Sequence, residues 1–135
     1  MEHEEMAMEV FDITIQENAE NISAASKQLM QFCTNNDIDK RSATYAAHAV
    51  EEMAVYTRNK ITHNDYMDIL ARLYPDKIEI DFRSLGSIFN PLVAVPEDNS
   101  ENIKLLQGLS SNLEYNYIMG MNCTQITIKK KGKHF

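Results

Sequence analysis

Tryptophan is absent from this 135-residue chain, cysteine occurs twice, proline three times and glycine four times. Each scarcity narrows the field. Cys33 and Cys123 form no C-x-x-C pair and have no histidine at ligand spacing, so both read as small buried residues rather than redox or metal groups. His3, His48, His63 and His134 are scattered, and no metal site is read among them. No stretch approaches the roughly 18 apolar residues of a membrane span, and the acidic Met1 to Val10 is the opposite of a signal peptide's basic start. The expectation is a soluble, cytoplasmic chain with no membrane segment.

Positive charge is missing from the start of the chain. Glu2, Glu4, Glu5, Glu9, Asp12, Glu17 and Glu20 all precede the first base, Lys27, and together they account for the whole formal charge of -7. Arginines do not cluster, and no aromatics interleave with basic residues, which excludes a nucleic-acid footprint. The run Lys129, Lys130, Lys131 and Lys133 reads as a solvated tail.

What is present is enough apolar residue, 44%, for one domain with a real core. The division expected is an acidic leader over 1–8, for which order is left open, a single domain over 9–129, and a basic tail over 130–135. Ala43 to Lys60 (ATYAAHAVEEMAVYTRNK) is the organising stretch. Ala46, Ala49, Val50 and Met53 recur at i, i+3, i+4 and i+7, the buried stripe of an amphipathic helix. Glu52, Tyr56 and Asn59 then stack along an adjoining edge, where chemistry is sought.

Glu9 to Gln16 alternates Val10, Asp12 and Thr14 against Phe11, Ile13 and Ile15, the pattern of a strand with one apolar face. Asn18 to Asn35 sets Ile22, Ala25, Leu29 and Phe32 at helical spacing, with Asp37 or Asp39 available to cap the next helix. Tyr66 to Tyr74 fits either a helix or a strand; the Pro75-Asp76 turn and the clear strand Lys77 to Arg83, with Ile78, Ile80 and Phe82 inward, favour the strand. From Ser84 to Asn99 regular pattern disappears, and a loop of this length in a small domain suits a lid or binding segment. Ser100 to Leu109 reads as a short helix. Two closing strands, about Asn112 to Met119 and Cys123 to Lys129, are joined by a turn at Gly120-Met121-Asn122. The fold class expected is α+β, a two-layer sandwich with one mostly antiparallel sheet covered on one face by helices.

These residues resemble a family. AVEEMAVYTRNK is similar to the helix that carries the catalytic Glu of the histidine-kinase-like (GHKL, Bergerat-fold) ATPases, in the branch of bacterial anti-sigma-factor serine kinases. SLGSIFNP resembles that family's adenine loop, and YNYIMGMNCTQITI its final hairpin. The resemblance runs from about Phe11 to Lys129. It implies Glu52 as the base polarising the attacking nucleophile, and nucleotide contacts at Tyr56, Ser84, Gly86, Phe89 and Asn90. It also implies ATP and Mg²⁺ as ligands, a sigma factor or antagonist-like protein as partner, and a homodimer, for which the first strand offers a free edge.

The chain departs from the family pattern at the chemistry. In the family the helix reads Glu-x-x-x-Asn, the Asn holding Mg²⁺; here Tyr56 stands in that place, and a phenol is a poor ligand for a hard ion that wants compact oxygen donors. Asn59 lies about a turn further along the helix. Ser84 replaces the Asp two residues ahead of Gly86 that reads the adenine amino group, and a neutral acceptor is roughly half as strong as a charged one. Asp81 lies too early and on the outward side of its strand. Asn99 to Lys104 has no Gly where the family's backbone approaches phosphate. Without the resemblance, Glu52 would be an ordinary solvated helix former, with Glu51 beside it having the same claim.

Three readings follow. The first is a regulatory protein-interaction module with nucleotide binding weakened or lost. The second is an ATP-dependent serine kinase acting on a small antagonist protein. A third is some other small ligand held between Glu52, Tyr56, Ser84 and Phe89 and lidded by Leu92 to Asn99.

Overall fold

Two periodicities, one of two residues and one of about 3.6, account for every element of the described residues. The computed structural model describes residues 7–60, 66–86 and 108–130, with the side chains of 59 and 60 left aside. In chain order the elements are β1 (Glu9–Gln16), α1 (Ala19–Asn35), α2 (Lys40–Lys60), β2 (Tyr66–Leu73), β3 (Lys77–Leu85), β4 (Asn112–Ile118) and β5 (Met121–Lys129). The strands form one antiparallel sheet in the order β1-β2-β3-β5-β4. This is the α+β two-layer sandwich that the sequence leads one to expect, with Tyr66–Leu73 a strand.

One face of the sheet is covered. Met67, Ile69, Ala71 and Leu73 from β2, Ile78, Ile80 and Phe82 from β3, and Ile126 and Ile128 from β5 are all at most 2% exposed. Above them α1 packs on β1 and α2, and α2 on β3 and β5. The stripe Ala46, Ala49, Val50 and Met53 is buried as its spacing predicts. Inside the helix pair the Ser26 hydroxyl donates to the Ala47 carbonyl at 3.0 Å, which satisfies a buried polar group.

Local chemistry sets the helix ends. Asn18 caps α1, its side chain accepting from the Asn21 amide at 2.9 Å. Asp37, at φ 58°, takes the left-handed position after α1, and the Ile38 amide closes back on the Cys33 carbonyl at 3.0 Å. Asp39 is the residue that caps α2, accepting from both the amide and the hydroxyl of Ser42 at 2.9 Å. The helix begins at Lys40, three residues before the Ala43 that opens its apolar stripe. Burial alone would push the Asp39 carboxyl up, but the Ser42 bonds and nearby Arg41 outweigh it and hold its pKa below the usual value.

Three expectations are corrected. Ser84 and Leu85 continue β3 rather than opening a loop, because they pair with Asn122 and Met121 of β5. The closing turn is Met119-Gly120, with Ile118 paired to Met121, so Met121 and Asn122 belong to β5. Met119 at φ 52° and Gly120 at φ 79° are the two positive dihedrals that a two-residue hairpin matched to strand twist requires. Cys123 is only half-buried, since it sits on the uncovered face, whereas Cys33 is fully buried, which raises its thiol pKa to about 11 despite the opposing Lys130 charge. The residues from 87 to 107, which hold most of the expected loop and short helix, lie outside those described.

The other face, which no described helix covers, is polar at its middle. Arg72 bonds Asp81 at 2.7 Å and reaches Glu79 at 3.5 Å, and Gln125 donates to Asp81 at 3.0 Å. The Asp81 bond, ahead of the cost of burial, keeps the Arg72 pKa raised. Asp81 thus points away from the helices, as the alternation of β3 predicts. β1 and β4 are the two edges of the sheet.

Candidate functional site

The resemblance places chemistry on α2 and at the end of β3, and the fold brings both to the layer between the helices and the sheet. Glu52 is half-buried on α2. One turn on, Tyr56 is 5% exposed and belongs to the same buried cluster as Ile80, Phe82 and Ile126. It has turned from the polar edge where the spacing sets it into the core. Thr57, fully buried next to it, closes its hydroxyl on the Met53 carbonyl at 2.8 Å, within its own helix. Phe89, Asn90 and the side chain of Asn59 lie outside the described residues, as does the 99–104 stretch.

At the end of β3, Ser84 is 4% exposed and faces the helix side of the sheet. The period-two argument requires this, since it shares a face with Phe82, Ile80 and Ile78. Its partner in register is Asn122, 1% exposed, with Thr124 next along β5 at 2%. The Tyr115 hydroxyl donates to the Asn122 side-chain oxygen, and the Asn122 amide lies 3.5 Å from the Ser84 carbonyl. Gly86, at φ 144°, holds the strand end in place: its amide bonds the Gly120 carbonyl at 3.1 Å and its own carbonyl accepts from the Tyr117 hydroxyl at 2.9 Å.

A buried polar patch of Ser84, Asn122 and Thr124 therefore interrupts the apolar face at one end of the sheet. Asn122, Thr124 and Tyr115 are not foreseen from sequence, because a turn set at Gly120-Met121-Asn122 removes Asn122 from the strand. Continuing the alternation backward from Ile128 through Ile126 to Thr124 and Asn122 would have found them.

Among the described residues, the donor set does not suit Mg²⁺. A core phenol and one carboxylate make no octahedral oxygen cage. Among the described residues, no group of three or more His, Cys, Asp and Glu side chains could hold a metal ion. No helix of the described residues is long and apolar enough to cross a membrane.

No protein family profile matches the chain, and no curated protein does. Solved structures do. The crystal structure of the RsbU and RsbW domains of Rv1364c from Mycobacterium tuberculosis superposes over 91% of this chain with a TM-score of 0.68, at 12% identity. The two share a fold. This chain spans 33% of that one, so what the larger protein does as a whole does not transfer with the likeness.

Proposed function

We propose that this domain is a regulatory protein-interaction module built on the anti-sigma-factor kinase fold, with nucleotide binding weakened or lost. RsbW is an anti-sigma-factor kinase of the histidine-kinase-like class. The observation that carries the reading is Tyr56. Where the family keeps a metal-holding amide, this chain has a phenol 5% exposed, in the same buried cluster as Phe82 and Ile126. Phosphoryl transfer rests on positioned cations that neutralise developing charge, so Glu52 alone cannot carry it. The partner is a sigma factor or an antagonist-like protein, and β1, an edge among the described strands, suits a homodimer.

The kinase reading keeps the support of the fold and of a half-buried Glu52 on the right helix. A melting experiment separates the two. A nucleotide at about 100 times its dissociation constant adds about 2.7 kcal/mol, which raises the melting temperature of a domain this size by on the order of 5 to 10 °C. The module reading expects no shift with millimolar Mg-ATP. A shift that persists in Glu52→Ala while turnover disappears would establish the kinase instead.

A further inference from the structure

The outward side of β3 changes character at its last residue. Lys77, Glu79, Asp81 and Arg83 alternate with the buried positions and are all charged, and then Leu85 follows, 52% exposed. It does not stand alone. Register sets Leu85 beside Met121 of β5, and Met121 beside Ile118 of β4, so three apolar side chains form one row across three strands on the face that no described helix covers. Ile118 is 57% exposed and Met121 half-buried, while Met119, in the turn beside them, is 96% exposed. A contiguous apolar patch with a polar surround is the mark of a contact surface.

The charges beside the row say what fits it. Arg83 on β3 and Glu114 on β4 are both exposed, stand on either side of β5, and line one cavity of about 540 Å³ with Ile118, Met119 and Met121. Neighbouring strands lie about 4.8 Å apart, so the two strands carrying these charges are about 10 Å apart. One α-helix with its side chains is about 10 to 12 Å wide. A helix laid along β5 thus seats an apolar stripe on the row and holds its two flanks over opposite charges. Arg83 is open to such a flank: Asp81, two residues before it on the same face, is held by Arg72 and Gln125, and Arg83 has no ion pair among the described residues. A strand added at an edge of the sheet would leave the row uncovered.

We infer that this corner docks an amphipathic helix of a protein partner, with an apolar stripe over Leu85, Met121 and Ile118, a carboxylate-bearing flank over Arg83 and a base-bearing flank over Glu114. The two methionines let the surface adapt to the stripe. The inference goes beyond the proposed function, because the row lies on the face opposite Glu52 and Tyr56, and neither the module nor the kinase reading depends on it.

The test uses three amphipathic peptides of about 18 residues, long enough to form a helix. All carry leucine at i, i+3, i+4 and i+7; their flanks are Glu and Lys, Glu and Glu, or Lys and Lys. Reversing a helix exchanges its flanks, so the mixed peptide fits in one direction, whereas a like-charged peptide always sets one flank against its own charge. Amide NMR signals of the whole chain are followed during titration. The mixed peptide should move signals at the ends of β3 and β5 and the start of the β4–β5 turn, and Leu85→Asp with Ile118→Asp should weaken it by about tenfold or more. The net charge of -7 favours lysine everywhere, so the informative quantity is the change between variants. Arg83→Glu should turn preference towards the Lys/Lys peptide by about three- to tenfold, and Glu114→Lys towards the Glu/Glu peptide by a similar factor. Lys27→Glu, an exposed reversal on α1, should leave the order unchanged. No binding at millimolar peptide, shifts elsewhere in the fold, or an equal response to Lys27→Glu would overturn the assignment. Movement of the same signals with protein concentration alone would also overturn it, making a second copy of this chain the occupant.

Discussion

The two faces of one sheet obey different rules. On the helix side, every second residue of β2 and β3 is buried, and the positions are fixed by packing: Ile78, Ile80 and Phe82 have no freedom to be anything but apolar. On the other side, the alternate residues of the same strands are Glu79, Asp81 and Arg83, tied to one another and to Arg72 and Gln125 or left exposed. The contrast teaches where each kind of information sits. The helix side specifies the fold, whereas the uncovered side tolerates exchange and is where surface chemistry can be added at little cost in stability.

Neighbouring residues on opposite faces give the strongest test. Phe82→Ala should lose about 3 to 5 kcal/mol in denaturant unfolding, while Arg83→Ala next to it should stay within about 0.5 kcal/mol. Equal losses would dissolve the distinction between the faces.

The buried polar patch sharpens it. Asn122→Ala removes the acceptor of the Tyr115 hydroxyl and should cost about 1 to 3 kcal/mol. Asn116→Ala, in the same strand pair but on the uncovered side, should cost within about 0.5 kcal/mol. If Asn122→Ala proved as mild, the patch would be filler rather than part of the architecture.

The smallest effect lies outside the sheet. Asp39→Ala should cost about 0.5 to 1 kcal/mol at neutral pH, the low end for a cap because the carboxylate is exposed and screened. The folded-state pKa of Asp39 is lowered, so its contribution is complete above the unfolded value of about 3.9 and disappears as pH falls through the folded value. Wild type and variant should therefore converge below about pH 4, and a gap that widened in acid would contradict the capping role.

How far the sequence could be read follows from the same two faces. Where one residue type fills one face, as in β1, β3 and α2, periodicity gives both the element and its inward side; Tyr66 to Tyr74 fits a helix as well, and only the Pro75-Asp76 turn and the strand after it favour β2. It failed where polar residues turn inward. Ser84 and Asn122 break the apolar alternation, so the pattern ends β3 at Arg83 and carries the final turn on to Asn122, two residues past its observed end at Gly120. The turn itself was hidden because Met119 occupies a position where Asn or Gly is the usual signal. The site on α2 was legible only in part: Glu52 lies where the spacing puts it, but helix spacing cannot tell whether a tyrosine at a stripe's edge swings into the core, and Tyr56 does. Cys123 was misjudged because small and scarce does not mean enclosed; the uncovered side of a strand sequence has to be identified first.

The strand order carries a consequence for biosynthesis. β5, the last of the described strands, lies inside the sheet between β3 and β4. As the polypeptide leaves the ribosome, β1, β2 and β3 can pair while Ile78, Ile80 and Phe82 still lack the neighbour that seals them. A nascent chain stalled before Met121 would expose the β3 edge as an adhesive border, a hazard for self-association until β5 is threaded into its slot.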